Sequence, residues 1–259
     1  MSSFAKIPDK EIAPHPPLKG YYAPERQRQD FLNDLFNEFA QDYDWIHKIA
    51  SFGSSMWHRS RALRKSGLCE GMRMLDIACG TGPVIQCAQQ IVGSSGWIVG
   101  LDPSTGMLRE ITRKGISANL TQGIAEHLPF QDKSFDFITM GYAIRHVQDL
   151  HATFEEYFRV LKPGGILLIL EISRPSSGIH FHMTKFYFKE IVPWIAWIRS
   201  RKTNALTLMR YFWDTVEYCV PPDMILNTMQ EVGFAEASLS EGLGGLIRDF
   251  RAVKNASQY

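Results

Sequence analysis

The chain has 259 residues, 45% of them hydrophobic and 21% charged, with a formal net charge of +1. That length buries one substantial core, and the composition is that of a globular domain, not of a disordered or fibrous chain. Near-neutral charge gives no general case for nucleic acid as a partner, and no apolar run reaches the length of a transmembrane helix.

Residues 1–25 carry Pro8, Pro14, Pro16, Pro17 and Pro24, which predicts an extended arm over 1–25. From Glu25 the pattern becomes helical. Phe31, Leu32, Leu35, Phe36 and Phe39 recur at helical spacing to about Gln41, and a further helix through Arg64 is ended by Ser66-Gly67. Residues 26–66 are thus expected to form an N-terminal helical cap. The start of the chain shows no basic-then-apolar signal pattern. Cys69, Cys79, Cys87 and Cys219 form no C-x-x-C and no metal-ligand spacing with histidine, so no metal site is expected. This cysteine usage suits a reducing cytoplasm, the expected location.

Met72 to Ile77 is a short apolar run of the buried parallel-strand kind, followed by the turn Ala78-Cys79-Gly80-Thr81-Gly82. Pro83 opens a helix whose apolar stripe is Val84, Ile85, Ala88 and Ile91. A second strand, Trp97 to Leu101, ends in Asp102, whose carboxylate can accept from both hydroxyls of a ribose. Strand, glycine turn and helix form a nucleotide-binding crossover, although a merely structural glycine turn has the same outline. A dinucleotide site requires G-x-G-x-x-G, and here Ile85 stands at the third glycine. A pyrophosphate would also leave Asp76 unexplained, because like charges repel. A ligand with a cationic amino group would welcome it. S-adenosylmethionine carries an ammonium, a sulfonium and a ribose, and no phosphate. The run resembles motif I of the class I methyltransferases, D-x-[GA]-x-G-x-G.

After Asp102, Ser104 caps a helix with Met107, Leu108 and Ile111, and Asn119–Gln122 is a third strand. A loop over 123–130 leads to strand four, Phe135–Met140. Gly141 to Val147 lies past its carboxyl end, where ligands of open α/β sheets bind. A helix through Phe154, Tyr157 and Leu161 ends at the breaker Lys162-Pro163-Gly164-Gly165, and Ile166–Ile172 is strand five. Residues 174–222 interrupt the alternation. They hold nine aromatics between Phe181 and Trp213, and six Lys/Arg against one acid between Lys185 and Tyr211. A helix at 222–232 and strands near 235–240 and 245–253 complete the pattern.

The resemblance narrows further. Phe36-x-x-Phe39-Ala40-x-x-Tyr43-Asp44 and Ser51-Phe52-Gly53 are similar to the N-terminal signature of the ubiquinone/menaquinone biosynthesis C-methyltransferases. The same holds for Ala125-Glu126-x-Leu128-Pro129-Phe130, the block from Gly141 through Arg145 to Val147, Arg159 to Gly165, Leu170 to Pro175, and Val232-Gly233-Phe234. It implies an α/β fold, a seven-stranded Rossmann-like sheet with helices on both faces, over a methyltransferase domain at 26–253 with residues 174–222 as an inserted lid. It implies S-adenosylmethionine as cofactor, held by Asp76, Ala78, Gly80, Gly82, Asp102, Pro103, Ala125, Glu126, Met140 and Tyr43. Three positions depart from the family: Ile124 replaces an acidic or amide residue, and His47 and His146 stand where Asn is usual. The chain therefore looks like a paralogue.

Carbon methylation of a phenol requires loss of its proton, and His146 is the first candidate base, because histidine titrates near neutrality. Arg145 could stabilise a phenolate, and Tyr142 and Tyr43 could close over the cofactor. His47, Phe186, Tyr187 and Trp194 are expected on the substrate side. The expected partner is a small aromatic acceptor, prenylated or not. The basic, aromatic lid is also a candidate for peripheral contact with the inner face of a membrane, and a homodimer stays open. Two other readings remain: a methyltransferase of non-quinone secondary metabolism, and a cofactor-binding protein with altered activity.

Overall fold

A computed structural model describes residues 11–256 apart from 19, 22–24, 52, 177 and 201–203. Much of the expected arm, Phe52 of the N-terminal signature, and Arg201 and Lys202 of the lid fall outside these residues. Residues 11–18, which do not, run without regular structure but are packed down. Ile12 N donates to Asp149 Oδ1 at 3.0 Å, the Ile12 carbonyl accepts from Leu150 N at 2.9 Å, and Leu18 is buried.

Among the described residues the sheet has seven strands. They are β1 (Arg73–Ile77), β2 (Trp97–Asp102), β3 (Asn119–Gln122), β4 (Phe135–Gly141), β5 (Leu161–Ile172), β6 (Phe234–Gly242) and β7 (Ile247–Lys254), in the order β3-β2-β1-β4-β5-β7-β6. β7 runs antiparallel to both its neighbours and the other pairs are parallel. β5 starts five residues earlier than the breaker predicts. Leu161 already pairs with Phe135, and the register shifts before Phe137, so the Pro-Gly-Gly stretch is absorbed as an irregularity within the strand, Gly164 taking a φ of +78°.

Helices α4 (Pro83–Val92), α5 (Thr105–Arg113), α6 (Leu150–Val160) and α10 (Pro222–Val232) cover the sheet faces. α4 packs closely against it for an instructive reason. Ile85 occupies the place of the missing third glycine, and the room is supplied from the next strand: a Cβ on Gly100 would lie 2.8 Å from Ile85 Cδ1. The Ser104 side chain caps α5 by accepting from Met107 N at 3.1 Å, an interaction worth about 1 kcal/mol.

The cap consists of α1 (Glu25–Phe39), α2 (Tyr43–Ala50) and α3 (Ser55–Ser66). The lid has α7 (Gly178–Phe186), a wide turn of π-helix over Tyr187–Ile191, α8 (Val192–Ser200) and α9 (Asn204–Glu217). Pro193 lacks the N–H that would bond the Lys189 carbonyl, and the wide turn takes up that mismatch. Cap and lid share one hydrophobic core, in which Leu32, Leu35 and Phe39 pack with Phe188, Leu208 and Trp213. That core holds both over the carboxyl edge of the sheet.

Candidate functional site

Two cavities meet at this edge. The first, of about 160 Å³, lies over the glycine turn. Ala78, Gly80, Asp102, Pro103, Ala125, Glu126 and Met140 line it, as does Tyr43 from the cap. Ala78 (φ +52°) and Tyr142 (φ +62°) hold left-handed backbone at the ends of the adjacent strands β1 and β4. Such strain costs of order 1–3 kcal/mol for a non-glycine residue and clusters at functional sites. Asp102 organises the turn: Oδ2 accepts from Gly80 N and Oδ1 from Ser104 N, each at 2.8 Å. Burial pushes its carboxyl up to about 6.

Two expected members do not line this cavity. Gly82 caps α4 in the left-handed conformation (φ +86°), and a Cβ there would press on Ile111 and Ile116 at 3.1 Å. Its role is to shape the turn. Asp76 lies behind the cavity wall, fully buried, with Oδ1 accepting from Thr139 Oγ1 at 2.6 Å and Oδ2 without a hydrogen-bond partner among the described residues. Burial, aided by Asp102 and opposed by Thr139 and Arg59, raises it to about 7. An orphaned buried carboxylate oxygen suits a cationic partner and would oppose a phosphate. Across the turn, a cap latch closes the cavity. Asp44 on α2 accepts from Thr81 and pairs with Lys114, and Asn37 Oδ1 accepts from Gly106 N at 2.8 Å.

The second cavity, of about 450 Å³, lies between cap, lid and β7, with a mainly apolar wall that includes Ile46, Ile172, Phe188 and Leu208. Phe36, Tyr43, His47, Arg59, Tyr142 and His146 line both cavities. They form the shared wall across which two bound molecules would face each other.

Arg145 lines the second cavity from a buried network. It pairs with Glu171, donates from Nε to Thr215 Oγ1 at 3.0 Å, and lies over the Phe212 ring at 4.6 Å. His146 stacks on Tyr211 (centroids 5.8 Å apart) and meets Phe36 edge-on. The expectation that it titrates near neutrality fails. Burial first, then the charges of Arg145 and Arg28, hold it well below the usual histidine range, which favours a neutral ring, and its Nδ1 has no hydrogen-bond partner among the described residues. His47, packed 4.5 Å from the Tyr43 ring, is lowered to about 3 by burial, Arg59 and Arg145. Burial raises Tyr43 to about 12.

The lid residues divide. Tyr187 lines the second cavity and donates to the Ile49 carbonyl at 3.0 Å. Phe186 and Trp194 do not; they are 61% and 58% exposed. They sit on the outer surface of the lid because its inner surface is taken by Phe188, Val192 and Ala196, which belong to the cap–lid core. Phe36, His58 and Arg59 carry no role in the sequence reading, yet all three line the second cavity. The signals available for them were the N-terminal signature for Phe36 and the Trp57-His58-Arg59 cluster for the others.

A model of the ubiE/COQ5 methyltransferase family matches residues 24–254. The demethylmenaquinone methyltransferase of Lactococcus lactis subsp. lactis (strain IL1403) is 31% identical over 236 residues, covering 88% of this chain and 91% of that protein. The protein of the same name from Symbiobacterium thermophilum is 33% identical over 231 residues, covering 84% and 90%. Among solved structures, a SAM-dependent methyltransferase of Thermotoga maritima superposes with a TM-score of 0.62. It covers 86% of this chain and 99% of its own, and at 21% identity it speaks to the fold alone.

Proposed function

The chain belongs to the ubiE/COQ5 methyltransferase family and is an S-adenosylmethionine-dependent methyltransferase, and from that premise we propose that it methylates a ring carbon of a small quinol- or phenol-type acceptor. The observation that carries this reading is the wall shared by a cavity over the glycine turn and a larger, apolar one. Asp102, the Gly80 turn and Ala125 suit the nucleoside, and the free Oδ2 of Asp76 suits the amino group. When bound, S-adenosylmethionine supplies an electrophilic methyl on its sulfonium.

Displacement of that kind needs alignment and exclusion of water more than it needs covalent help from the protein. The shared wall supplies both. Phe36, Tyr43, His47, Tyr142 and His146 present aromatic rings that favour a flat acceptor, and Arg59 is the charged member of that wall. The lid adds Tyr187, Phe188 and Phe212, a wall that also takes an apolar tail.

The outer face of the lid is proposed to rest on a lipid surface, where a prenylated acceptor would reside. Ile179, Phe186, Trp194, Trp197 and Ile198 are exposed there. The basic excess contributes less than its count implies, because Lys185 pairs with Glu217 and Lys189 with Asp214. No helix among the described residues is long and apolar enough to cross a membrane.

The experiment is methyl transfer from labelled S-adenosylmethionine to a panel of hydroxylated rings, with and without prenyl tails, the site of the new methyl being located by NMR. A new C-methyl on a quinol or phenol is the expected product. Transfer only to oxygen or nitrogen, or to no hydroxylated ring, overturns the proposal.

A further inference from the structure

A polar cluster that shares only Tyr142 with the expected catalytic set lies on one side of the second cavity. His58, on α3, reaches two partners at once. Its Nδ1 is 3.0 Å from the Tyr142 hydroxyl, and its Nε2 is 3.2 Å from Asp249 Oδ1 on β7. Asp249 Oδ1 is buried and has no hydrogen bond among the described residues, so it meets His58 Nε2 as an ion-pair contact. A carboxylate at that distance keeps the proton on Nε2, leaves Nδ1 as the acceptor, and turns the Tyr142 O–H toward it. Tyr142 and His58 both line the second cavity, and Asp249 stands on the far side of the His58 ring.

The next residue in the chain completes the cluster. Arg59 is 3% exposed, lies over the Tyr142 ring at 4.6 Å and lines both cavities. Its side chain donates to Ser55, its Nε has no partner, and no carboxylate lies within ion-pair distance of it among the described residues. A buried guanidinium without a counter-ion is unfavourable, and an anion placed beside it relieves that.

We propose that His58, held by Asp249, is the base that removes the acceptor's hydroxyl proton by way of Tyr142, and that Arg59 stabilises the oxyanion so formed. The proposal rests on the hydroxylated-ring acceptor argued above. In the step, the acceptor O–H bond breaks and its proton passes to the Tyr142 oxygen. The proton already on Tyr142 passes to His58 Nδ1. The acceptor becomes an oxyanion with electron density at its ring carbons, His58 becomes an imidazolium beside Asp249, and nothing is oxidised or reduced. Burial raises Tyr142 to about 12, so it hands a proton on and does not hold the negative charge itself. The other groups bearing on Tyr142 are Arg59, Glu171 and Cys87. His146 and His47 have neighbouring arginines that oppose protonation, whereas His58 Nε2 has a carboxylate oxygen 3.2 Å away.

The test uses the protein loaded with S-adenosylhomocysteine and 4-nitrophenol as the probe, since its phenol and phenolate absorb at different wavelengths. Wild type should ionise the bound probe at lower pH than free solution does. His58→Gln and Tyr142→Phe should each move that ionisation up by about one pH unit or more, with Asp249→Asn in between. In single-turnover methyl transfer, His58→Gln should lose roughly 10²–10⁴-fold at neutral pH and recover as pH rises. Should His58→Gln lose its cooperative melting, Asp249→Asn, which removes only the charge, carries the same comparison. A wild type that leaves the probe's ionisation unchanged, or pH–rate profiles that run parallel in wild type and variant, overturns the base while the methyl-transfer reading stands. A wild type that methylates no hydroxylated ring at any pH overturns that reading instead.

Discussion

Asp76→Asn tests the cofactor site through its electrostatics. The Asp76 carboxyl moves from an ordinary 3.8 to about 7 on folding, chiefly because burial disfavours its charge. A shift of that size corresponds to roughly 4 kcal/mol. Because the folded-state value is the higher one, the stabilisation is full below about 3.8 and is lost as pH rises to about 7. Three histidines act in the opposite sense, His146 among them. His47 and His15, lowered by burial to about 3 and about 4, withdraw stability as pH falls below 6.5. Those contributions cancel when wild type and variant are compared at each pH. Asparagine keeps an oxygen for the Thr139 hydroxyl and removes the charge. In urea unfolding of the cofactor-free proteins, Asp76→Asn should match wild type near pH 4. It should then gain on it steadily to about pH 7, with roughly 4 kcal/mol as the upper bound. Binding should run the other way. An ammonium at Oδ2 neutralises the carboxylate, so wild-type affinity for S-adenosylmethionine should rise from pH 5 toward 7. It should turn down where an α-amino group deprotonates, at about 7.7–8.0. The variant should bind weakly with a flat profile. A stability gap that does not vary with pH, or equal affinities measured by calorimetry, refutes the reasoning.

The lid residues should separate by the face they occupy. Tyr187→Ala should raise the acceptor KM about tenfold, near 1.4 kcal/mol, while Phe186→Ala and Trp194→Ala should leave KM for a detergent-dispersed acceptor unchanged and weaken binding to anionic vesicles in sedimentation. An equal KM effect in all three would remove the distinction. His146→Asn should change the rate less than tenfold and leave the shape of the pH–rate profile as it is, since a ring that stays neutral contributes no ionisation; a shape change would show that His146 titrates after all.

The sheet and one wall of the site were legible in the sequence because their physics is local. Buried parallel strands are apolar runs, so Met74–Ile77, Ile98–Leu101 and Leu167–Leu170 stand out without knowledge of their partners. The glycine turn and the carboxylate at Asp102 follow at a spacing set by one crossover, and Asp102 indeed grips Gly80 N at 2.8 Å. The missing third glycine was legible as a departure, but its remedy was not. Gly100, the residue that admits Ile85, lies 15 positions on in sequence and is its neighbour only in the folded sheet.

The opposite wall was illegible for a related reason. Helical periodicity gives the buried face of α3 but does not say that His58 meets Tyr142 on one side and Asp249 on the other. Those partners come from the residue after β4 and from β7, and the three converge only when the cap docks on the sheet edge. His146 shows the same dependence. Its position after β4 was readable, yet its proton affinity is decided by Arg145 beside it, Arg28 from α1 and enclosure under Phe36 and Tyr211, rings from two distant helices. The lid adds a geometric reason. Phe186 and Tyr187 are neighbours in the chain, but α7 ends and the wide turn begins between them, so one faces solvent and the other the cavity. Aromatic density could announce a lid over a flat acceptor; which rings point inward depends on the turn that Pro193 imposes. The residues proposed to receive the cofactor can therefore be read from one local crossover, whereas those proposed to choose and ionise the acceptor emerge only from tertiary packing.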